Sequence, residues 1–209
     1  KEMYMIRDNI ARDLQDEIGS GLSKISLLGE VIKKESRVDE PRIDKIIGSA
    51  KEMIEGMGEM VWSLNSKNDN LSNVLYFLRR YSTEYFEDSN IELSFHMQSQ
   101  IPDIPVSSIK RRNLLMVYKE TLNNILKHSK ATSTIINMVI VKSELHIVIQ
   151  DNGQGFSSIK NEKEGNGLSN MKSRMTEING NISWKNTGGV IVEMTMPLEY
   201  PPFGLTKIS

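Results

Sequence analysis

The chain has 209 residues, 26 Lys+Arg against 27 Asp+Glu, a net charge of −1 and no cysteine. Hydrophobic residues at 38% exclude a disordered chain, the even charge balance gives no basic field for general nucleic-acid binding, and the missing cysteines exclude disulfides, thiol nucleophiles and thiolate zinc sites. No run approaches the ~18 consecutive apolar residues of a membrane span and no signal peptide is visible, while the opening Lys1 leads us to expect a fragment of a longer protein.

Residues 1–66 read as two long helices. In the first, Met3, Ile6, Ile10, Leu14, Ile18, Leu22, Ile25, Leu28 and Ile32 recur in steps of three and four, close to a heptad seam. A polar stretch, Lys33 to Arg37, follows, and Pro41 suits the first turn of a second helix striped by Ile43, Ile46, Ala50, Met53, Met57, Met60 and Leu64. An antiparallel hairpin of this kind buries one face of each helix, so the expected solution is a four-helix bundle built by two chains. Ser66 to Asn70 is polar and reads as a linker.

Beyond it the period changes. A helix is predicted over 71–87, with Leu71, Val74, Leu75, Leu78, Tyr81 and Tyr85 inward, and Ile91, Leu93 and Phe95 alternate as in a half-buried strand. A helix over 107–128 leads to two β-rich runs, 133–141 and 144–150, separated by Lys142-Ser143 at hairpin spacing. After a glycine-rich stretch over 151–167 come a helix near 168–179 and closing strands at 181–185 and 189–196. Helices and strands mix without regular βαβ alternation, so the class is α+β, with helices packed on one face of a mixed sheet. The expected domains are residues 1–67 and 68–200, with 201–209 a loosely held tail.

Three segments carry chemistry. On the helix ending at His128, the residues Glu120, Asn124, Lys127 and His128 are spaced to share one face, with Leu122, Ile125 and Leu126 opposite. A carboxylate, an amide oxygen and two potential cations suit a magnesium-bound polyphosphate, because the hard ion takes oxygen ligands and phosphates take positive donors. A solvated amphipathic face has the same pattern. Next, Asp151-Asn152-Gly153-Gln154-Gly155 follows directly on a strand, which lets backbone approach a flat ligand while the carboxylate accepts a hydrogen bond from an exocyclic amine; an ordinary hairpin turn reads alike. Finally Gly165-Asn166-Gly167-Leu168 precedes Ser169, a candidate helix cap, and suits either a phosphate-accepting helix N-terminus or a plain helix-entry loop.

In this order and spacing, the three segments resemble the asparagine box and the two glycine boxes of the Bergerat ATP-binding fold, an α/β sandwich shared by histidine kinases, gyrase, certain chaperones and mismatch-repair ATPases. The segment Ile10-Ala11-Arg12-Asp13-Leu14-Gln15-Asp16-Glu17-Ile18-Gly19-Ser20-Gly21-Leu22 resembles the phosphoacceptor helix of two-component sensor histidine kinases, within the subfamily that includes nitrate-sensing and membrane-fluidity-sensing members. Val61-Trp62-Ser63-Leu64-Asn65, and Gly167-Leu168 through Met171 and Arg174, resemble further segments of that subfamily, so the likeness runs over about residues 5–198.

The resemblance implies a kinase core that binds ATP and Mg²⁺, with Asn124 on the metal, Lys127 and His128 on phosphate charge, Glu120 in the polar network beside the ion and Asp151 on the adenine. Gly153, Gly155, Gly165, Gly167 and Leu168 would shape the nucleotide pocket, and residues 157–166 a lid over the triphosphate. It implies a homodimer, a response-regulator receiver domain as phosphoryl acceptor, and a membrane-anchored parent holding this part on the cytoplasmic side of a bacterial inner membrane. Where the family carries its phosphoacceptor histidine, however, this chain has Gln15, whose amide nitrogen is not a nucleophile. Asp16 would otherwise orient or deprotonate the imidazole. Two explanations stay open, an engineered substitution and a natural pseudokinase that docks a regulator without chemistry; the active-looking neighbours favour the first. Ser20 stands where relatives with phosphatase activity often place an amide, which puts that activity in doubt. An ATPase of the chaperone or topoisomerase kind would call for a second ATP-gated domain, against which the bundle-forming helices and short lid argue.

Overall fold

The computed structural model describes residues 18–36, 41–155 and 166–199, and the chain divides into two units, residues 1–68 and 69–209. In the first unit, α1 (Ser20–Ser36) and α2 (Pro41–Leu64) pair as a hairpin, with α2 opening on its proline. Lys33, expected in a polar loop, lies within α1 and pairs with Asp44 at 2.7 Å, while Lys51 reaches Glu30 at 2.9 Å. Both pairs are exposed, where such bridges contribute ~0–1 kcal/mol and mainly mark the register.

Glycine lets the two helices approach closely. Ser26, Gly29, Ile47 and Ala50 are buried, and a Cβ on Gly29 would meet Ile47 Cγ1 at 2.7 Å. The leucine-rich stripe points elsewhere: Ile25, Leu28, Ile32, Ile46, Met53 and Met60 are exposed, Leu28 to 59%.

The second unit is α+β. After a 3₁₀ turn at Ser66–Asn68 come α3 (Leu71–Phe86), β1 (Glu92–Met97), α4 (Ser108–Asn124), β2 (Ser133–Val141), β3 (Glu144–Asp151), α5 (Asn166–Glu177), β4 (Asn181–Asn186) and β5 (Val190–Pro197). The five strands lie in the order β1-β2-β3-β5-β4; β1 runs parallel to β2 and the remaining neighbours are antiparallel. Alternation sends Ile136, Met138, Leu145, Ile147, Ile149, Val192, Met194 and Met196 to the buried face, whereas Ile135, Val139 and Val141 face outward. Leu71, Val74, Leu75 and Leu78 of α3, Leu114, Leu115, Val117 and Leu122 of α4, and Met171 and Met175 of α5 complete the core.

Both long helices start on side-chain caps: Asn70 accepts from Ser72 N at 2.8 Å and Ser107 from Lys110 N at 3.3 Å. At the end of α3 the inward positions are Ser82 and Phe86, not Tyr81 and Tyr85, which lie half-buried and stack on each other at 5.6 Å. The polar stretch read as a linker is fastened in its second half. Val106 N donates to Asp69 O at 2.7 Å, Leu71 N to Ile104 O at 2.8 Å, and the buried Arg111 pairs with the Asp69 carboxylate.

Candidate functional site

The first wall of the site is the end of α4. Val117, Tyr118, Thr121, Leu122 and Ile125 are buried and fix the helix on the sheet, which leaves Glu120 and Asn124 half-buried at its edge. At Ile125 the helix widens into a π turn that runs to Ser129, carrying Lys127 and His128 exposed to solvent. Leu126 was expected on the apolar side with Leu122 and Ile125 but is 42% exposed, because the wider i→i+5 turn displaces the residues after Ile125 from α-helical spacing. Ser129 closes the turn by donating to Ile125 O at 2.7 Å and accepting from Ala131 N at 2.9 Å, and Lys130 ends it in the left-handed region at φ 54°.

The second wall is the turn after β3. Asp151 is only 4% exposed, and both carboxylate oxygens are tied to backbone: Oδ1 accepts from Gly153 N at 2.8 Å and Oδ2 from Val190 N at 3.3 Å. Asn152 anchors the start of β2, its Oδ1 accepting from Thr132 N and Ser133 N, both at 2.9 Å. A Cβ on Gly153 would lie 2.2 Å from Ser129 O, so only glycine lets this turn rest on the π turn. Gln154 extends the contact, its N–H donating to Ser129 O at 2.8 Å and its side chain to His128 O at 3.1 Å. Gly155 has φ +73°, a left-handed conformation open to glycine at little cost.

The third wall is the start of α5. A Cβ on Gly167 would stand 2.9 Å from Glu120 Oε1, so this helix begins beside the polar face of α4. Leu168 is half-buried, and Ser169, the candidate cap, lies inside the helix with its side chain exposed. Met171 and Arg174 hold α5 on α4: Thr121 Oγ1 donates to Met171 Sδ at 3.8 Å and Arg174 Nη1 to Asn113 Oδ1 at 3.3 Å.

Glu120, Asn124, Lys127, His128, Asp151, Gly153, Gly155, Gly167 and Leu168 thus lie on three segments that pack on one another. Gln15, Asp16, Gly165 and residues 157–165 of the expected lid fall outside the described residues. Two contributors escaped the sequence reading. Gly189 and Val190 open β5 against Asp151; a Cβ on Gly189 would meet Asp151 O at 2.0 Å, and the Gly188-Gly189 pair was the available signal. Among the described residues no three His, Cys, Asp or Glu side chains gather as a metal cage. Chemically the arrangement offers a buried acceptor beside bare backbone at one end, and an amide with two basic side chains at the other.

Residues 109–200 match the family of histidine kinase-, DNA gyrase B- and HSP90-like ATPases. The chain is 27% identical over 198 residues to the sensor histidine kinase YvfT of Bacillus subtilis, covering 92% of this chain and 50% of that protein. It is 27% identical over 179 residues to LiaS of the same organism, a sensor histidine kinase, covering 83% of this chain and 48% of the other. The chain therefore spans about half the length of these curated relatives. Among solved structures, the blue-light activated histidine kinase of Erythrobacter litoralis superposes with a TM-score of 0.60 at 15% identity, covering 92% of this chain and 60% of that one. The Acinetobacter baumannii histidine kinase AdeS gives 0.54 at 13% identity, over 90% of this chain and 98% of its own.

Proposed function

From the premise that this chain is a member of the two-component sensor histidine kinases, with an ATPase domain of their type, we propose that it is a kinase core that binds Mg·ATP and is silenced at its phosphoacceptor by Gln15. The observation that carries the nucleotide reading is the meeting of three segments, with Gly153 resting on Ser129 O and Gly167 beside Glu120. In the second of these segments Asp151 is buried, anchored and still has lone pairs to offer.

Each end of that site suits one part of the ligand. Asp151 accepts from the adenine amine, and the glycine backbone of the turn leaves room for the flat base. Asn124 would supply an amide oxygen to a Mg²⁺ bound with the phosphates, a hard ion that takes oxygen ligands. Such an ion neutralises charge on the transferring phosphoryl group. Lys127 and His128 donate to the phosphates, and Glu120 orders the polar network beside Asn124.

Phosphoryl transfer to this chain would need a nitrogen lone pair at position 15, and the Gln15 amide has none to give, its pair being delocalised into the carbonyl. With histidine there, the ring nitrogen bonds to the γ-phosphorus as the bond to the ADP oxygen breaks, Asp16 holds the imidazole, and a response-regulator aspartate is the next acceptor. The exposed Ile25, Leu28, Ile32, Ile46, Met53 and Met60 support a second copy completing a four-helix bundle. No helix among the described residues is long and apolar enough to cross a membrane.

The test uses this chain and its Gln15→His variant, each with Mg²⁺ and γ-labelled ATP. We expect both to bind nucleotide and only the histidine variant to acquire acid-labile phosphate. Absence of nucleotide binding would overturn the site. Binding without labelling in either chain would favour the second reading that Gln15 itself suggests, a nucleotide-gated module that docks a response regulator without chemistry.

A further inference from the structure

β1 closes one edge of the sheet, and among the described residues only β2 pairs with it. Glu92 N donates to Thr132 O at 2.9 Å in the parallel register, so Glu92, Ser94 and His96 turn their backbone groups towards β2. The alternate residues Leu93, Phe95 and Met97 turn theirs to the outer edge. The core is also incomplete there. On β2 the inward Ile136 and Met138 are sealed, whereas the inward Leu93, Phe95 and Met97 of β1 are half-exposed. A cavity of about 370 Å³ opens beside them, walled by Phe86, Ile91, Leu93 and Phe95, with the Arg79 guanidinium 5.8 Å from the Phe95 ring.

Sheets commonly guard such an edge with lysine, proline or a bulge. The segment Glu92-Leu93-Ser94-Phe95-His96-Met97 has no lysine or proline and pairs with β2 in unbroken register, while the opposite edge strand, β4, carries Lys185. Its residue order instead complements itself. Two copies of β1 running antiparallel about a twofold axis at Ser94 set Leu93 against the partner's Phe95 and Glu92 against the partner's His96. Leu93 and Phe95 then fall in hydrogen-bonded pairs, as their outward N–H and C=O groups require. Glu92 and His96 fall in non-hydrogen-bonded pairs, where facing side chains come closest, with Cα atoms ~4.5 Å apart. An axis at Leu93 or Phe95 would satisfy the backbone equally but set Glu92 and His96 apart.

We propose that the outer edge of β1 is a docking surface for the same edge of a second copy of this chain, antiparallel about Ser94, which joins the two sheets into one. The occupant is a second copy because each end of the strand supplies what the other end takes. The His96 imidazole donates to the partner's Glu92 carboxylate, twice across the axis, and the partner's Phe95 lies beside Leu93 at the open cavity. One six-residue strand per copy makes a small interface, so the contact is transient and is read by trapping it. It uses none of the exposed stripe of α1 and α2.

The chain has no cysteine, so one introduced thiol reports the contact. Ser94→Cys places two thiols on the axis, in a pairing that a disulfide can span. Ser99→Cys, equally exposed just beyond β1, stands ~30 Å from its counterpart in this register and is the control for chance collision. Under mild oxidation of the full chain we expect Ser94→Cys to give covalent dimer at least tenfold faster than Ser99→Cys. Adding Glu92→Lys or His96→Glu alone to Ser94→Cys should slow the cross-link about tenfold, and adding both should restore most of the rate, since the two charges are exchanged across the axis. Equal rates for Ser94→Cys and Ser99→Cys would overturn the proposal, whether the edge stays bare or takes an extended peptide of another protein. Charge reversals without effect would also overturn it, as would slowing by each that the pair does not rescue, which would mark damage to the strand itself.

Discussion

Arg111, completely buried in the first turns of α4, holds through Nη1 both the carboxylate of Asp69 and the carbonyl of Val106, the latter at 2.6 Å. The polar segment that follows α2 is thereby tied to the helix whose far end carries Glu120 and Asn124. Removing the carboxylate would take a counter-charge from a buried guanidinium. Asp69→Ala should cost about 3–5 kcal/mol in the second unit, while the paired change Asp69→Asn with Arg111→Met should recover a large part of it. Urea unfolding at constant slope reads both, and a cost below ~1 kcal/mol would show that Arg111 is satisfied without Asp69.

Gly153 meets a fixed obstacle. The atom a Cβ would strike is a backbone oxygen, Ser129 O at 2.2 Å, which cannot swing away as a side-chain end can. Gly153→Ala must lift the turn off the π turn, so we expect a stability loss of about 1–3 kcal/mol together with loss of nucleotide binding. Titration with ADP under conditions where the variant remains folded is the check, and wild-type affinity would be incompatible with the close approach.

Burial pushes the Tyr118 phenol well above its ordinary value of 10.0, a shift that its hydrogen bond with Ser82 opposes. The unfolded chain releases this proton near pH 10 whereas the folded chain keeps it. The contribution is therefore fully present below pH ~10 and is lost as the pH rises through the folded value. Tyr118→Phe has no such proton, and Ser82 retains its bond to Leu78 O at 2.7 Å. The variant should be about 1 kcal/mol less stable at neutral pH, and its deficit should shrink between about pH 10 and pH 11. Denaturant midpoints measured at both ends of that window decide it; parallel curves would contradict the shift.

If the exposed stripe of α1 and α2 is covered by a second copy, a charge on it should separate the subunits. Leu28 is 59% exposed within its own chain, so Leu28→Glu should leave the hairpin intact and weaken self-association at least tenfold. Sedimentation across a concentration series measures this. A parent chain that is monomeric at high concentration would refute the bundle.

Much of this molecule was readable from spacing. The switch from helical steps in residues 18–64 to alternating strands at 133–141 and 144–151 is a property of the residues themselves, since each element must put its apolar side chains on one face. The Asp-x-Gly-x-Gly turn was equally visible, because Gly155 occupies a backbone conformation that other residues adopt only at a cost. The hairpin was read less fully. The heptad stripe predicted a partner for each helix, yet Gly29 closes directly on Ile47, two residues that the stripe does not contain.

The sequence by itself determined the order of elements, the alternation of the first strand and the three motif segments, because these follow from local sterics and the period of apolar residues. Only the tertiary structure decided that Val190 fixes Asp151, that Gly189 must be bare, that Thr134 stands unsatisfied beside the carboxylate and that Arg111 reaches Asp69. Those relationships join residues 17 to 42 positions apart, 39 in the case of Asp151 and Val190, through strand register and helix packing. No local pattern encodes them, since each exists only once the sheet has paired and the helices have closed over it.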